Sequence, residues 1–248
     1  MKAMILAAGL GTRLRPLTND RPKALIEVAG HTLLEITLRR LASFGIREVI
    51  VNVHHFADMV VDYLKKNKNF GLQVAISRED DLLLDTGGGL KQAAWFFLQG
   101  GPAQEPFLLH NVDVISTIDF ARMLQFHRDN NALATLAVQQ RETSRRLLFD
   151  ERNQLCGRQT GANARQMVRP SQQPSVLAFS GVHIISPELL SLITEQGVFS
   201  IVTTYLRLAA EGQRILAFRT DGYYWRDLGK SENITQANSD LERGVFAL

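Results

Sequence analysis

Residues Met1–Gly30 read MKAMILAAGLGTRLRPLTNDRPKALIEVAG. The apolar run Ala3–Ala8 predicts a strand buried on both faces of a parallel sheet. Gly9-Leu10-Gly11-Thr12-Arg13-Leu14-Arg15 follows at once. Two glycines at that point let the backbone bend, approach a ligand closely and turn N–H groups toward an anion. Arg13 and Arg15 put positive charge beside those amides, and a guanidinium grips phosphate oxygens in a fork. Lys23 comes next in Arg21-Pro22-Lys23, presented on a proline-stiffened segment. A strand end, a glycine bend and several cations describe a cradle for a polyphosphate. It is neither a dinucleotide fingerprint, which needs a third glycine, nor a P-loop, which needs Gly-Lys-Ser/Thr.

Working outward, apolar residues at Leu33, Leu34, Ile36, Leu38, Leu41 and Phe44 have helical spacing, and Gly45 closes that helix. Strands are predicted at 48–53, 72–77 and 107–111, with helices over 56–68 and from Thr86 onward. Strand and helix alternate over residues 1–130, which calls for a parallel sheet covered on both faces. Ligands in such sheets sit at the carboxyl ends of strands, where the glycine bend lies. Beyond Asn130 the pattern changes to strands at 132–139, 145–150, 154–158, 176–185, 214–219 and 223–225. Helices are predicted at 187–194, 200–211 and 230–243, and the polar stretch Gly161–Pro174 reads as a mobile loop. No linker divides the chain, so one domain is expected across 1–248. Its nucleotide-binding half would be about 1–130. Residues from about 131 would hold the second substrate, as a lobe on the same sheet, and the last helix.

Composition bounds the rest. The 248 residues are 45% hydrophobic and 21% charged with net charge +3, which suits a globular α/β protein of ordinary surface. The basic residues are scattered, so a nucleic-acid partner is not expected. Cys156 is the sole cysteine, which rules out an intrachain disulfide and a cysteine metal cluster. A reducing, cytoplasmic setting is expected. No apolar run approaches bilayer length, and the run after Lys2 is too short for a signal peptide.

Three further constellations carry chemistry. Asp113 lies just past the strand at 107–111, where a carboxylate facing a phosphate cradle is placed to hold a divalent ion. Leu84-Asp85-Thr86-Gly87-Gly88-Gly89-Leu90 is a second glycine loop opening a helix, and its run of glycines suggests close backbone approach. Asp227 sits in Tyr224-Trp225-Arg226-Asp227-Leu228-Gly229. No Ser/His/Asp or Cys/His arrangement suggests a covalent intermediate. The pair His54-His55, at a strand end, reads as solvated or locally satisfied.

Leu6–Thr18 with Pro22-Lys23 resembles the signature of the sugar-1-phosphate nucleotidyltransferases. Thr86–Gly89, Asp113, Phe179-Ser180-Gly181-Val182 and Trp225-x-Asp227 follow in that family's order. The resemblance is nearest to short bacterial enzymes such as N-acetylmuramate-1-phosphate uridylyltransferases and mannose- or heptose-1-phosphate guanylyltransferases. It implies a Rossmann-like, doubly wound, mostly parallel but mixed sheet of the nucleotide-diphospho-sugar transferase type. It implies an NTP and a sugar 1-phosphate as partners, Mg²⁺ as cofactor, and a monomer or homo-oligomer. By the same resemblance, Arg13 and Lys23 are catalytic, and Ala8, Gly9, Gly11, Thr12, Thr86, Gly87 and Gly88 bind the nucleotide. Ser180 and Gly181 make room for the sugar, and Asp113 and Asp227 hold the metal. The chain departs from the family twice. It has His110-Asn111-Val112-Asp113 where Gly-Asp is usual, and no Glu-Lys-Pro lysine for the sugar phosphate, a role open to Arg158, Arg165 or Arg169. A cytidylyltransferase acting on an alcohol phosphate shares the loop and is the alternative reaction. A nucleotide-sugar-binding regulatory subunit without turnover is the alternative of a different class.

Overall fold

In strand β1 (Ala3–Leu6) the side chains of Ala3 and Ile5 enter one apolar cluster and that of Met4 enters another. That two-sided burial is what a continuous apolar run produces in a sheet covered on both faces. The computed structural model of the protein describes residues 1–99, 105–161 and 164–247. In it β1 lies between β4 (Glu48–Val53) and β6 (Phe107–Asn111), parallel to both, and β5 (Gln73–Arg78) continues the parallel run beyond β4. On the other side β12 (Ser175–Ile185) is antiparallel to β6 and to β8 (Ala134–Gln139), and β13 (Ile215–Arg219) is parallel to β8. The result is a mixed, mostly parallel sheet in one domain, as the sequence implied. The first three residues of β12 leave this layer to pair with β9 (Arg145–Phe149), which carries β10 (Leu155–Thr160) and β11 (Ala164–Met167) outward.

One face is covered by α1 (Leu33–Ser43), α2 (Ala57–Lys66), α5 (Phe120–Asp129) and α8 (Ser231–Glu242). The other carries α3 (Asp85–Gln92), α4 (Ala94–Leu98), α6 (Glu188–Ser191) and α7 (Ile201–Ala210). Local chemistry sets the helix starts. Thr32, Asp119 and Ser200 accept backbone N–H groups at the heads of α1, α5 and α7. No helix among the described residues is long and apolar enough to cross a membrane.

Two small ladders stand off the main sheet: β2 (Glu27–Val28) with β3 (His31–Thr32), and β7 (Val114–Ser116) with β14 (Trp225–Asp227). One expectation is corrected here. Residues 164–167, placed in a mobile loop on polarity, form β11 and pair with β10. Their exposed side chains supply no apolar period, yet main-chain pairing to a neighbouring strand needs none. Residues 162–163 of that stretch lie outside the described residues.

Buried histidines give the fold a pH dependence. His127 hydrogen-bonds Thr135 Oγ1 and Ser186 Oγ, and His183 pairs with the Tyr205 hydroxyl. Burial pushes His127 down to about 4 and His183 down to about 3, so both are neutral in the fold. In the unfolded chain they protonate below about 6.5. The unfolded state then binds more protons, and stability falls as pH drops below about 6.5 until the folded values are reached. The expected loss approaches ~1.4 kcal/mol per histidine per pH unit. A melting curve series from pH 7 to 5 checks this, and a flat Tm across that range contradicts it.

Candidate active site

The loop after β1 turns where Gly11 adopts a left-handed φ of 64°. A Cβ there would meet Thr18 Cγ2 at 2.9 Å and Lys23 Cβ at 3.2 Å, so glycine is required for conformation and for space. Thr18 Oγ1 donates to the Gly11 carbonyl at 2.9 Å and ties the loop back on itself. The amides of Gly9, Leu10 and Gly11 have no acceptor among the described residues. Adjacent N–H groups left open at a strand end are an anion cradle.

Lys23 is buried behind this loop, 9% exposed, and its ammonium forms an ion pair with Asp113 Oδ2. Both line a cavity of about 390 Å³ with Ala8, Gly9 and Thr86. Asp113 immediately precedes β7, and Asp227 ends β14. In that antiparallel ladder Asp227 pairs with Val114, and Leu228 N donates to the Asp113 carbonyl at 2.7 Å. The main chains of two acids far apart in sequence are thus neighbours at one ladder. Asp227 Oδ1 accepts from Gly229 N at 2.7 Å. A Cβ on Gly229 would stand 2.6 Å from Arg13 Nη2 and 2.7 Å from Asp227 Oδ1, so Arg13 and Asp227 converge there.

The cavity floor was not anticipated. Asn52 Oδ1 accepts from Ala7 N at 2.7 Å, Asn52 Nδ2 donates to Glu79 Oε1 at 2.7 Å, and Leu84 N donates to Glu79 Oε2 at 2.8 Å. This buried relay ties the first glycine loop to the second across β4 and β5. Every member is satisfied, which is what makes a buried polar chain rigid. The available signal was Asn52 itself, a polar residue inside the apolar run Val49–Val53. His54 Nδ1 lies 2.5 Å from the Glu79 carbonyl, and neither His54 nor His55 lines this cavity.

The second glycine loop is placed differently from expectation. Thr86 lines the cavity, and its Oγ1 accepts from Ile201 N at 3.0 Å. Gly87 and Gly88 do not line it. Both are buried, and their amides donate to the Phe199 carbonyl. A Cβ would stand 2.4 Å from the Phe199 ring at Gly87, 2.6 Å from Gly197 O at Gly88 and 2.7 Å from Glu79 Oε1 at Gly89. The three glycines let α3 press against the 197–199 segment and the Glu79 relay, and the amides assigned to nucleotide are occupied. Gly87→Ala is therefore expected to cost about 1–3 kcal/mol through overpacking, read as a drop in Tm that Phe199→Leu partly restores. An unchanged Tm with lost activity would return Gly87 to the ligand.

Ser180 and Gly181 also stand outside the cavity lining. Ser180 is fully buried and its hydroxyl has no partner among the described residues. Gly181, at φ 74°, sits in an irregular stretch of β12 where a Cβ would meet Asn111 Nδ2 at 2.9 Å. The glycine thus leaves room for Asn111, which does line the cavity.

The sheet order and the strand-end cavity with its lysine and aspartate are those of an α/β protein with its site at the carboxyl ends of parallel strands. The family model described as nucleotidyl transferase matches residues 2–244, and the chain belongs to that family. It is similar to the N-acetylmuramate alpha-1-phosphate uridylyltransferase of Caulobacter vibrioides, 36% identical over 96% of both chains. It is also similar to the mannose-1-phosphate guanyltransferase of Yarrowia lipolytica, 29% identical over 94% of this chain and 62% of that protein. Among solved structures, HddC from Yersinia pseudotuberculosis superposes with a TM-score of 0.75 at 22% identity, covering 97% of this chain and 99% of that one. A UDP-glucose pyrophosphorylase bound to UDP-glucose gives 0.76 at 17% identity over 98% of each. The resemblance read from the sequence is borne out, and the structural likenesses carry the fold.

Proposed function

We propose that the chain transfers a nucleotidyl group from an NTP to a sugar 1-phosphate, giving an NDP-sugar and pyrophosphate. The single observation that carries this reading is the β7–β14 ladder, which sets Asp227 beside an Asp113 already paired with Lys23 in the wall of a strand-end cavity. UTP and N-acetylmuramate 1-phosphate are the first pair to test, from the similarity to the Caulobacter protein over nearly its whole length.

In this reading the open amides of Gly9 to Gly11, with Arg13, hold the triphosphate tail. Lys23 reaches the phosphates between the two substrates and offsets their mutual repulsion. A phosphate oxygen of the sugar attacks the α-phosphorus. The bond from that phosphorus to the bridging oxygen breaks, and pyrophosphate leaves with the electron pair. The nucleophile is already anionic near neutral pH, so no general base is required.

The donor set fits magnesium. Asp113 Oδ1 and Asp227 Oδ2 have no protein donor among the described residues, and both are hard oxygens, one just before β7 and one at the end of β14. No group of three His, Cys, Asp or Glu able to hold a metal occurs among the described residues. Two carboxylates completed by substrate phosphates are the shell that magnesium commonly takes. Bound there, the ion would supply positive charge at the reacting phosphates. A pyrophosphate-release assay with four NTPs against a panel of sugar 1-phosphates tests the reading. Release with no pair overturns it, and release only with CTP and an alcohol phosphate replaces the sugar.

A further inference from the structure

Arg141 lies two residues beyond β8 and was not among the cations singled out from the sequence. Its guanidinium carbon stands 3.8 Å from the centre of the Trp225 ring. Its Nη2 donates to the Phe179 carbonyl at 2.6 Å. Its Nε is buried and has no partner among the described residues, and no carboxylate there forms an ion pair with it. Burial lowers its pKa while the nearby charge of Asp227 opposes that shift. A guanidinium fixed on one face and at one corner, with its Nε unmatched and no carboxylate partner, is open to an anion.

The main chain is shaped to hold it. Along β12 the register with β8 breaks between Phe179 and His183, so residues 180–182 face only Ala137. The Phe179 and Ser180 carbonyls, at the edge of this break, each accept from a side chain. The first accepts from Arg141 and the second from Trp225 Nε1 at 2.7 Å. Trp225 and Asp227 alternate with Arg226 along β14 and so share a face. Arg226 is turned away onto Tyr224 and Asp240. Arg141 is thus stacked on the same face that carries Asp227.

Resting on the function proposed above, we infer that Arg141 grips the phosphate of the incoming sugar 1-phosphate. It fills the role left open by the missing lysine. Arg158, Arg165 and Arg169 do not. The Nε of Arg158 and of Arg165 donates to Gln166 and Gln159, at 2.8 and 2.9 Å, and Arg169 is bonded to Gln154. All three belong to the outer β10–β11 region, and none touches Trp225.

The test compares the wild-type chain with Arg141→Gln and Arg141→Lys, using the NTP that the wild type accepts. The KM for sugar 1-phosphate is expected to rise about tenfold or more in Arg141→Gln, as for a lost charged hydrogen bond. It should rise alike for neutral and carboxylate-bearing sugars, while the KM for NTP stays within about twofold. Arg141→Lys, which keeps the charge and loses the fork, should fall between. An unchanged KM for the sugar phosphate overturns the inference, as does a rise confined to NTP. A rise confined to carboxylate-bearing sugars also overturns it, by moving Arg141 to the sugar's own acid. Wild-type inactivity with every pair would overturn the function instead. In that event, and if Arg141→Gln fails to fold, fluorescence decides. Trp225 is one of two tryptophans, so Trp95→Phe leaves it alone. Its emission should shift on titration with sugar 1-phosphate and stay fixed with the unphosphorylated sugar. No shift overturns the inference.

Discussion

Asp113→Asn is expected to lower kcat by about a thousandfold or more while leaving a folded protein. One of two carboxylates on the β7–β14 ladder would lose its charge, and metal-borne charge stabilisation is worth several kcal/mol in such reactions. The fold should survive because the backbone link from Leu228 N to the Asp113 carbonyl does not involve the side chain. The amide would leave Lys23 without its counter-charge, so some loss of stability is expected, of at most a few kcal/mol for a pair this little exposed. Steady-state pyrophosphate release beside a melting curve separates the two effects. Near-normal turnover would remove Asp113 from any metal site. Asp227→Asn should behave alike, because the two acids serve one ion in the proposed reading.

Lys23→Ala should reduce kcat by about a hundred- to a thousandfold, the usual cost of removing one preorganised donor to developing charge. Its effect on the KM for either substrate should be smaller. Lys23 is buried behind the glycine bend and pairs with Asp113 through its ammonium, so truncation of its stem opens space there as well. Lys23→Met keeps the stem and separates packing from charge. If Met restores Tm and not turnover, the ammonium acts on substrate. If both variants turn over normally and only melt earlier, Lys23 is a support for the loop.

Much of this was written in local sequence. Ala3–Ala8 followed by glycines gave the central strand and cradle because a doubly buried strand must be apolar throughout and a tight bend needs glycine. Strands β4 and β6 were legible to the residue for the first reason. The β7–β14 ladder was not. Each strand has three residues, too few for a period, and its register is set by the tertiary fold. Asp113 and Asp227 could be named from a resemblance, but their adjacency could not. The glycines at 87–89 show a second limit. Close approach of backbone was the right physics, yet the approaching groups are Phe199, Gly197 and Glu79, partners that only the folded chain reveals. Arg141 escaped notice because its significance lies in what its guanidinium lacks, and sequence carries no record of an absent partner.

The ladder joining the two acids has a temporal meaning as well. Its first strand is synthesised well before its second, with the whole of β8 to β13 made in between. A nascent chain can shape the glycine bend and the strands around it, yet the second carboxylate arrives only after them. Under the proposed chemistry, no nascent fragment that stops short of Asp227 could consume nucleotide, and turnover itself would report that the second strand had been made.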